Sequence, residues 1–187
     1  TLFPYTTLFR SRDVSYVNGD FEITKATTTL EVTGYNGTYD GESHGLTVVP
    51  AVTEGTTITY STDDGETWTS EVPTITNVGS QTYKVKASNA NYEDVIEEAT
   101  LAVTAKAVTV TGVDDSKVYG EDDPAEFTAT VAGNLNNDVI TYTVSREAGE
   151  NVGHYAVIPT GAASQGNYSV SYVNGDFEIT KATTTLE

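Results

Sequence analysis

The sequence predicts an all-β chain of tandem, small antiparallel β-sandwich modules arranged as a rod, and three observations carry that prediction. Apolar and polar residues alternate with period two in many short runs, turn-forming pairs recur between the runs, and a long segment of the chain is repeated. The repeat, VSYVNGDFEITKATTTLE, stands at 14–31 and again, unchanged, at 170–187, an offset of 156. Such an identity points to recent tandem duplication, so the chain holds one full period of an array.

A weaker repeat divides that period. Asn77-Val78-Gly79 recurs as Asn151-Val152-Gly153 and Asn91-Tyr92 as Asn167-Tyr168, while Lys25, Lys106 and Lys181 mark equivalent ends. Two related modules therefore alternate, an A type at 26–106 and a B type at 107–181. The last strand of a preceding B copy is expected at 12–25 and the start of the next repeat at 182–187. No Gly/Ser-rich or Pro-rich spacer separates the modules, which favours a stiff array over a flexible one.

Along the chain, Ile58 and Tyr60 open the period-two runs, and Asp64-Gly65 supplies a tight turn. In Thr82–Ala87, Tyr83, Val85 and Ala87 share one face and Lys84 and Lys86 the other. Val108 and Val110, Ile140–Val144, and Phe177 with Ile179 follow the same pattern. Asn18-Gly19, Asn36-Gly37, Asn174-Gly175 and the Gly-rich 161–166 read as further turns. Segments 91–99 and 145–150 have weak helical propensity and read better as loops or strand approaches. Asn151-Val152-Gly153-His154-Tyr155 sits where a sandwich places its tyrosine corner. A β-grasp arrangement is the alternative fold and would need one real helix.

Composition shortens the list of functions. The chain of 187 residues has 27 acidic and 9 basic side chains, a net charge of −18, two His and no Cys. Nucleic-acid binding is excluded, because affinity for phosphates needs a basic footprint that these residues cannot build. Anionic membrane surfaces are excluded for the same reason. Without Cys there is no disulfide framework, thiolate zinc site or Cys nucleophile. No apolar run approaches the roughly 18 residues needed to span a bilayer.

Residues 1–11, TLFPYTTLFRS, differ in character from everything after them and resemble, residue for residue, the translation of a short-read sequencing adapter. We treat them as artefactual and read the chain as a window cut from a longer reading frame.

Tyr39-Asp40-Gly41 with His44, the stretch Tyr60–Trp68, Asn77-Val78-Gly79 and Asn91-Tyr92 resemble the YDG-type bacterial Ig-like module. Ser116-Lys117-Val118-Tyr119-Gly120, Asp123-Pro124, Ser145–Tyr155 and Asn167-Tyr168 resemble the MBG-type (YGX) module. The resemblance implies Ig-like repeats of a large secreted or wall-anchored surface protein of Gram-positive or gut-community bacteria, often an adhesin, and no catalytic activity.

Candidate chemistry is sparse. Ser61-x-Asp63-x-Gly65-x-Thr67-Trp68 matches the Asp-box pattern of sialidase propellers, whose content is a hairpin: the Asp accepts turn N–H bonds, the Gly takes positive φ and the Trp packs beneath. A sialidase would also need an Arg cluster for the substrate carboxylate, and Arg12 and Arg146 are the only Arg outside the adapter-like segment. Asp114, Asp115, Glu121, Asp122 and Asp123 are the best candidates for a Ca²⁺ ion between modules, set against a solvated acidic face. His44 and His154 lie in different modules without a second His or a nucleophile elbow nearby, so His44 is expected in a local hydrogen bond and His154 in solvent. Trp68 and Tyr60, with Tyr35 or Tyr39, form the candidate glycan platform; Trp68 exposed would mark a lectin, Trp68 packed a stalk. A Lys–Asn crosslink is disfavoured by the outward parity of Lys84 and Lys86.

These readings converge on a non-catalytic stalk, extracellular at the bacterial cell surface or wall, with no cofactor required and neighbouring repeats as partners. The alternatives are a module binding host mucin or polysaccharide, and an accessory region of a secreted carbohydrate-active enzyme.

Overall fold

The computed structural model describes residues 18–135 and 138–184. The adapter-like segment 1–11, the start of the expected strand at 12–25 and the last three residues of the repeat start lie outside the described residues. All regular structure is β. The strands are β1 (Leu30–Thr33), β2 (Tyr35–Thr38), β3 (His44–Gly45), β4 (Thr47–Pro50), β5 (Thr57–Ser61), β6 (Thr74–Ile75), β7 (Gly79–Ser88) and β8 (Val95–Thr104). They continue as β9 (Lys106–Gly112), β10 (Asp115–Val118), β11 (Ala129–Ala132), β12 (Thr143–Arg146), β13 (Gly153–Thr160), β14 (Ser164–Gln165), β15 (Tyr168–Val173) and β16 (Gly175–Thr180). No helix occurs among the described residues, so the β-grasp alternative does not describe this chain; of the segments of weak helical propensity, 91–99 runs into β8 and 145–150 runs out of β12.

The strands fall into two groups. In the first, the sheet β2-β8-β7-β5 faces the pair β1-β4, with β3-β6 as a short flap. In the second, the sheets β10-β16-β13-β12 and β11-β9-β15-β14 face each other. No ladder among the described residues joins a strand before residue 105 to one after it.

The sheets are mixed, not wholly antiparallel. β2 pairs with β8 in parallel, as do β10 with β16 and β9 with β15. The cause is a change of sheet without a change of direction: β1 belongs to one sheet and β2 to the other, and β9 and β10 repeat the manoeuvre. A glycine stands at each crossing, where the chain passes close to a neighbouring backbone. A Cβ on Gly34 would lie 2.0 Å from the Thr100 carbonyl oxygen, and one on Gly112 would lie 2.6 Å from that of Val157. Asn36-Gly37, expected as a turn, lies within β2 for the same reason, since the strand must run on beside β8.

Alternation places the cores as the sequence pattern requires. Leu30, Tyr60, Val85 and Ala87 fill the first group, and Val157, Phe177 and Ile179 one end of the second. A third cluster joins Tyr39 and Val103 of the first group to Val108, Val110, Ile140, Tyr168 and Val170 of the second, so apolar burial is continuous across residue 105.

Candidate functional site

The Asp-box segment forms the hairpin its sequence describes. Asp63 accepts the Ser61 hydroxyl at 2.6 Å and the Thr67 N–H at 2.9 Å, and these bonds hold its carboxyl far below the usual carboxylate range. Gly65 takes φ 94°, and its carbonyl accepts the Trp68 indole N–H at 2.9 Å. The Lys86 ammonium lies 4.2 Å from the centroid of the Trp68 ring, occupying a face that a sugar would otherwise use. Trp68 is half-buried, and Tyr60 is 6% exposed in the core of the first group. Of the other candidate aromatics, Tyr35 stacks on His44 with centroids 3.6 Å apart, and Tyr39 is buried. Trp68 and Tyr60 line one depression, while Tyr35 and Tyr39 lie outside it.

His44 donates through Nε2 to both oxygens of the Asp40 carboxylate at 3.0 Å, and His154 pairs with Asp176 at 2.8 Å on the open face of β13. The His154 pKa is raised, chiefly by its hydrogen bond to Asp176.

The five calcium candidates do not converge. Asp114 accepts the Asp176 N–H at 2.8 Å, Asp115 the Ser116 N–H at 2.7 Å and Glu121 the Val118 N–H at 3.2 Å, while Asp123 is taken up by cations. Among the described residues no group of three or more acidic or His side chains is placed to hold a metal ion.

Asp123 belongs to a network that sequence reading missed. The Lys117 ammonium donates to Asp123 at 2.7 Å and to Glu150. Arg146 donates to Asp123 through Nε at 2.8 Å, to Glu150 through Nη2, and to the carbonyls of Glu147 and Gly149 at 2.7 Å. Both cationic side chains are buried, and the guanidinium lies 5.2 Å from the centroid of the Phe177 ring. Arg146 first, then Lys117, pulls the Asp123 carboxyl down to about 2. Lys117, Asp123, Arg146 and Glu150 all fall in the motifs that carry the YGX resemblance. Those motifs thus hold loops and strands of the second group together by satisfied, charge-assisted hydrogen bonds.

The most developed constellation lies between the groups. Thr104 ends β8 and Lys106 begins β9, with Ala105 alone between them. The Asn167 carbonyl accepts the Lys106 N–H at 2.9 Å, and its side-chain amide reaches back to the first group: Oδ1 accepts the Val78 N–H at 2.8 Å and Nδ2 donates to Asn77 Oδ1 at 3.0 Å. Beside this clasp Tyr39 packs edge to face on Tyr168. The Tyr168 hydroxyl donates to Asp138 at 2.6 Å and accepts the Leu135 N–H at 3.0 Å. Asn77, Asn91, Asn167 and Tyr168 were visible in the sequence as members of the recurring Asn-Val-Gly and Asn-Tyr motifs. That recurrence was the signal; the contact it encodes needed the fold.

The same bonds correct one equivalence. Ala26 donates to the Asn91 carbonyl at 3.0 Å as Lys106 does to that of Asn167, so Ala26, and not Lys25, matches Lys106.

Fold and site together define an all-β, Ig-like class of chain. Residues 108–178 match the family model of the MBG domain (YGX type). No curated protein matches the chain. Among solved structures, similarity is found to a Bacteroides ovatus mixed-linkage glucan utilization locus protein, SGBP-B, in complex with a mixed-linkage heptasaccharide. The identity is 16% and the TM-score 0.26, over 75% of this chain and 42% of that one.

Proposed function

We propose that the chain is a non-catalytic spacer segment of a bacterial surface protein, in which A-type and B-type modules follow one another without slack. The observation that carries this reading is the junction at Ala105. A single residue links β8 to β9, the Asn77–Asn167 clasp ties loop to loop, and a shared apolar cluster fills the space between. Two bodies so joined resist bending, and a net charge of −18 keeps the surface from collapsing onto neighbouring polyanions.

The test is rotational diffusion of the chain by ¹⁵N relaxation. A single anisotropic tensor for both strand groups is the expected result, and separate tumbling of the two would overturn the reading.

The second reading is a repeat that binds mucin or polysaccharide and gains avidity from tandem copies. It is favoured by a depression of about 130 Å³ lined by Tyr60, Thr67, Trp68, Glu71 and Tyr83. Saturable binding to a mucin and polysaccharide panel, with Ca²⁺ and with chelator, abolished by Trp68→Ala, would establish it over the spacer. Membership of a secreted carbohydrate-active enzyme is compatible with either role, and adhesin function and wall anchoring belong to the same proposal.

A further inference from the structure

The second strand group carries an uncovered copy of the surface with which the first group holds it. In the first group the Tyr39 N–H donates to the carbonyl of Thr104 at the end of β8, at 2.9 Å. In the second the Tyr119 N–H donates to that of Thr180 at the end of β16, at 2.8 Å. Gly79 pairs with Val103 and Gly153 with Ile179, one residue before those ends. Tyr119 therefore stands in the place of Tyr39, and Asn151-Val152 in the place of Asn77-Val78. Tyr39 is 8% exposed and covered by Tyr168, whereas Tyr119 is 52% exposed.

The complementary half of the junction is also present twice. The Asn91 carbonyl accepts the Ala26 N–H as that of Asn167 accepts the Lys106 N–H, Tyr92 stands opposite Ala26 in parallel register as Tyr168 does opposite Lys106, and Asn91 is exposed. The links match in length as well, since Thr104-Ala105-Lys106 corresponds to Thr180-Lys181-Ala182 and to Thr24-Lys25-Ala26. Residues 170–187 repeat 14–31, so the segment leaving β16 has the sequence that enters the first group.

We infer that the Tyr119/Asn151/Val152 face is the docking surface for the A-type module of the next repeat, through its Asn91 and Tyr92. The Asn91 amide of that module accepts the Val152 N–H and donates to Asn151, and its Tyr92 packs against Tyr119. Every junction of the array is then closed by one device. The inference rests on the spacer reading and extends it from the observed junction to the alternate one.

The experiment uses a two-period chain, residues 12–187 followed directly by 32–181, whose seam keeps the repeat sequence. Amide hydrogen exchange is followed at Val78 and Val152 with each period labelled separately. The expected result is slow exchange at Val78 in both periods, and at Val152 slow in the first period and fast in the second. Asn91→Ala in the second period should speed first-period Val152 by about tenfold, the scale of one net hydrogen bond, and leave Val78 unchanged. Fast exchange at Val152 in both periods with Val78 still slow would overturn the inference and leave the spacer reading standing. Fast exchange at Val78 as well would remove the spacer reading and the inference with it.

Discussion

Tyr39 and Tyr168 stand edge to face across the junction, ring centroids 5.6 Å apart and planes at 87°. Each ring is fixed from its own side: the Tyr39 backbone is bonded to the end of β8, and the Tyr168 hydroxyl to Asp138 and Leu135. Neither side chain has room to follow a hinge motion at Ala105, so the pair acts as a stop.

The first prediction concerns that stop. Tyr39→Ala removes an aromatic pair worth about 0.5–1.5 kcal/mol beyond area burial, and Asn167→Ala removes two hydrogen bonds worth about 1 kcal/mol each net. The double variant is expected to retain both sets of strands while the two groups acquire separate rotational correlation times. Unchanged single-tensor relaxation would contradict it.

Identical residues in two contexts give the second. Phe177 and Ile179 are 0% exposed, whereas Phe21 and Ile23, in the repeated segment, are 89% and 85% exposed. Phe177→Ala should cost about 3–5 kcal/mol in the second group, and Phe21→Ala less than about 0.5 kcal/mol. Urea titrations read from tyrosine signals distinguish the two.

Acid should weaken the second group. The Asp123 carboxyl titrates near 2 when folded against an ordinary value of 3.8, so in that interval the unfolded chain binds more protons. The ion network therefore contributes fully above about pH 4, and its contribution is lost as the pH falls towards 2. Unfolding midpoints across this range should fall, and Arg146→Met should flatten the slope. A slope unchanged by that substitution would assign the acid sensitivity elsewhere.

The hairpin around Asp63 provides the fourth. Gly65→Ala must place a side chain at φ 94° with its Cβ 3.3 Å from Trp68, a strain of about 1–2 kcal/mol. Asp63→Ala leaves the Ser61 hydroxyl and the Thr67 N–H without their acceptor. Both variants are expected to shift Trp68 fluorescence to the red, and Glu66→Ala, whose side chain is outside this bond network, to leave it in place.

Strand identity and inward faces were legible because a half-buried strand writes its two faces into alternate residues, as at Val85/Ala87 and Val108/Val110. The hairpin was legible because its bonds are local. Pairing direction was not, since nothing in the run Leu30–Thr38 states that Gly34 carries the chain from one sheet to another. The Lys117–Asp123–Arg146–Glu150 network was hidden for a related reason. Its members come from three separate stretches of sequence, and a buried Lys in β10 reads at sequence level as one more outward residue. The clasp at Asn167 was half visible: the motif repeats located it, but only the fold brings Asn77 within 3.0 Å.

The parallel ladders have a mechanical meaning. When a chain anchored at one end is drawn from the other, tension enters the second strand group at β9 and leaves it at β16. β9 runs beside β15, and β10 beside β16, in the same direction, so the pull slides each pair lengthwise instead of peeling it open from one end. The rungs of a ladder loaded in this way share the force and must fail together, whereas a hairpin pulled apart surrenders them singly. The change of sheet at Gly34 and Gly112 thereby sets the direction in which each module is hardest to tear.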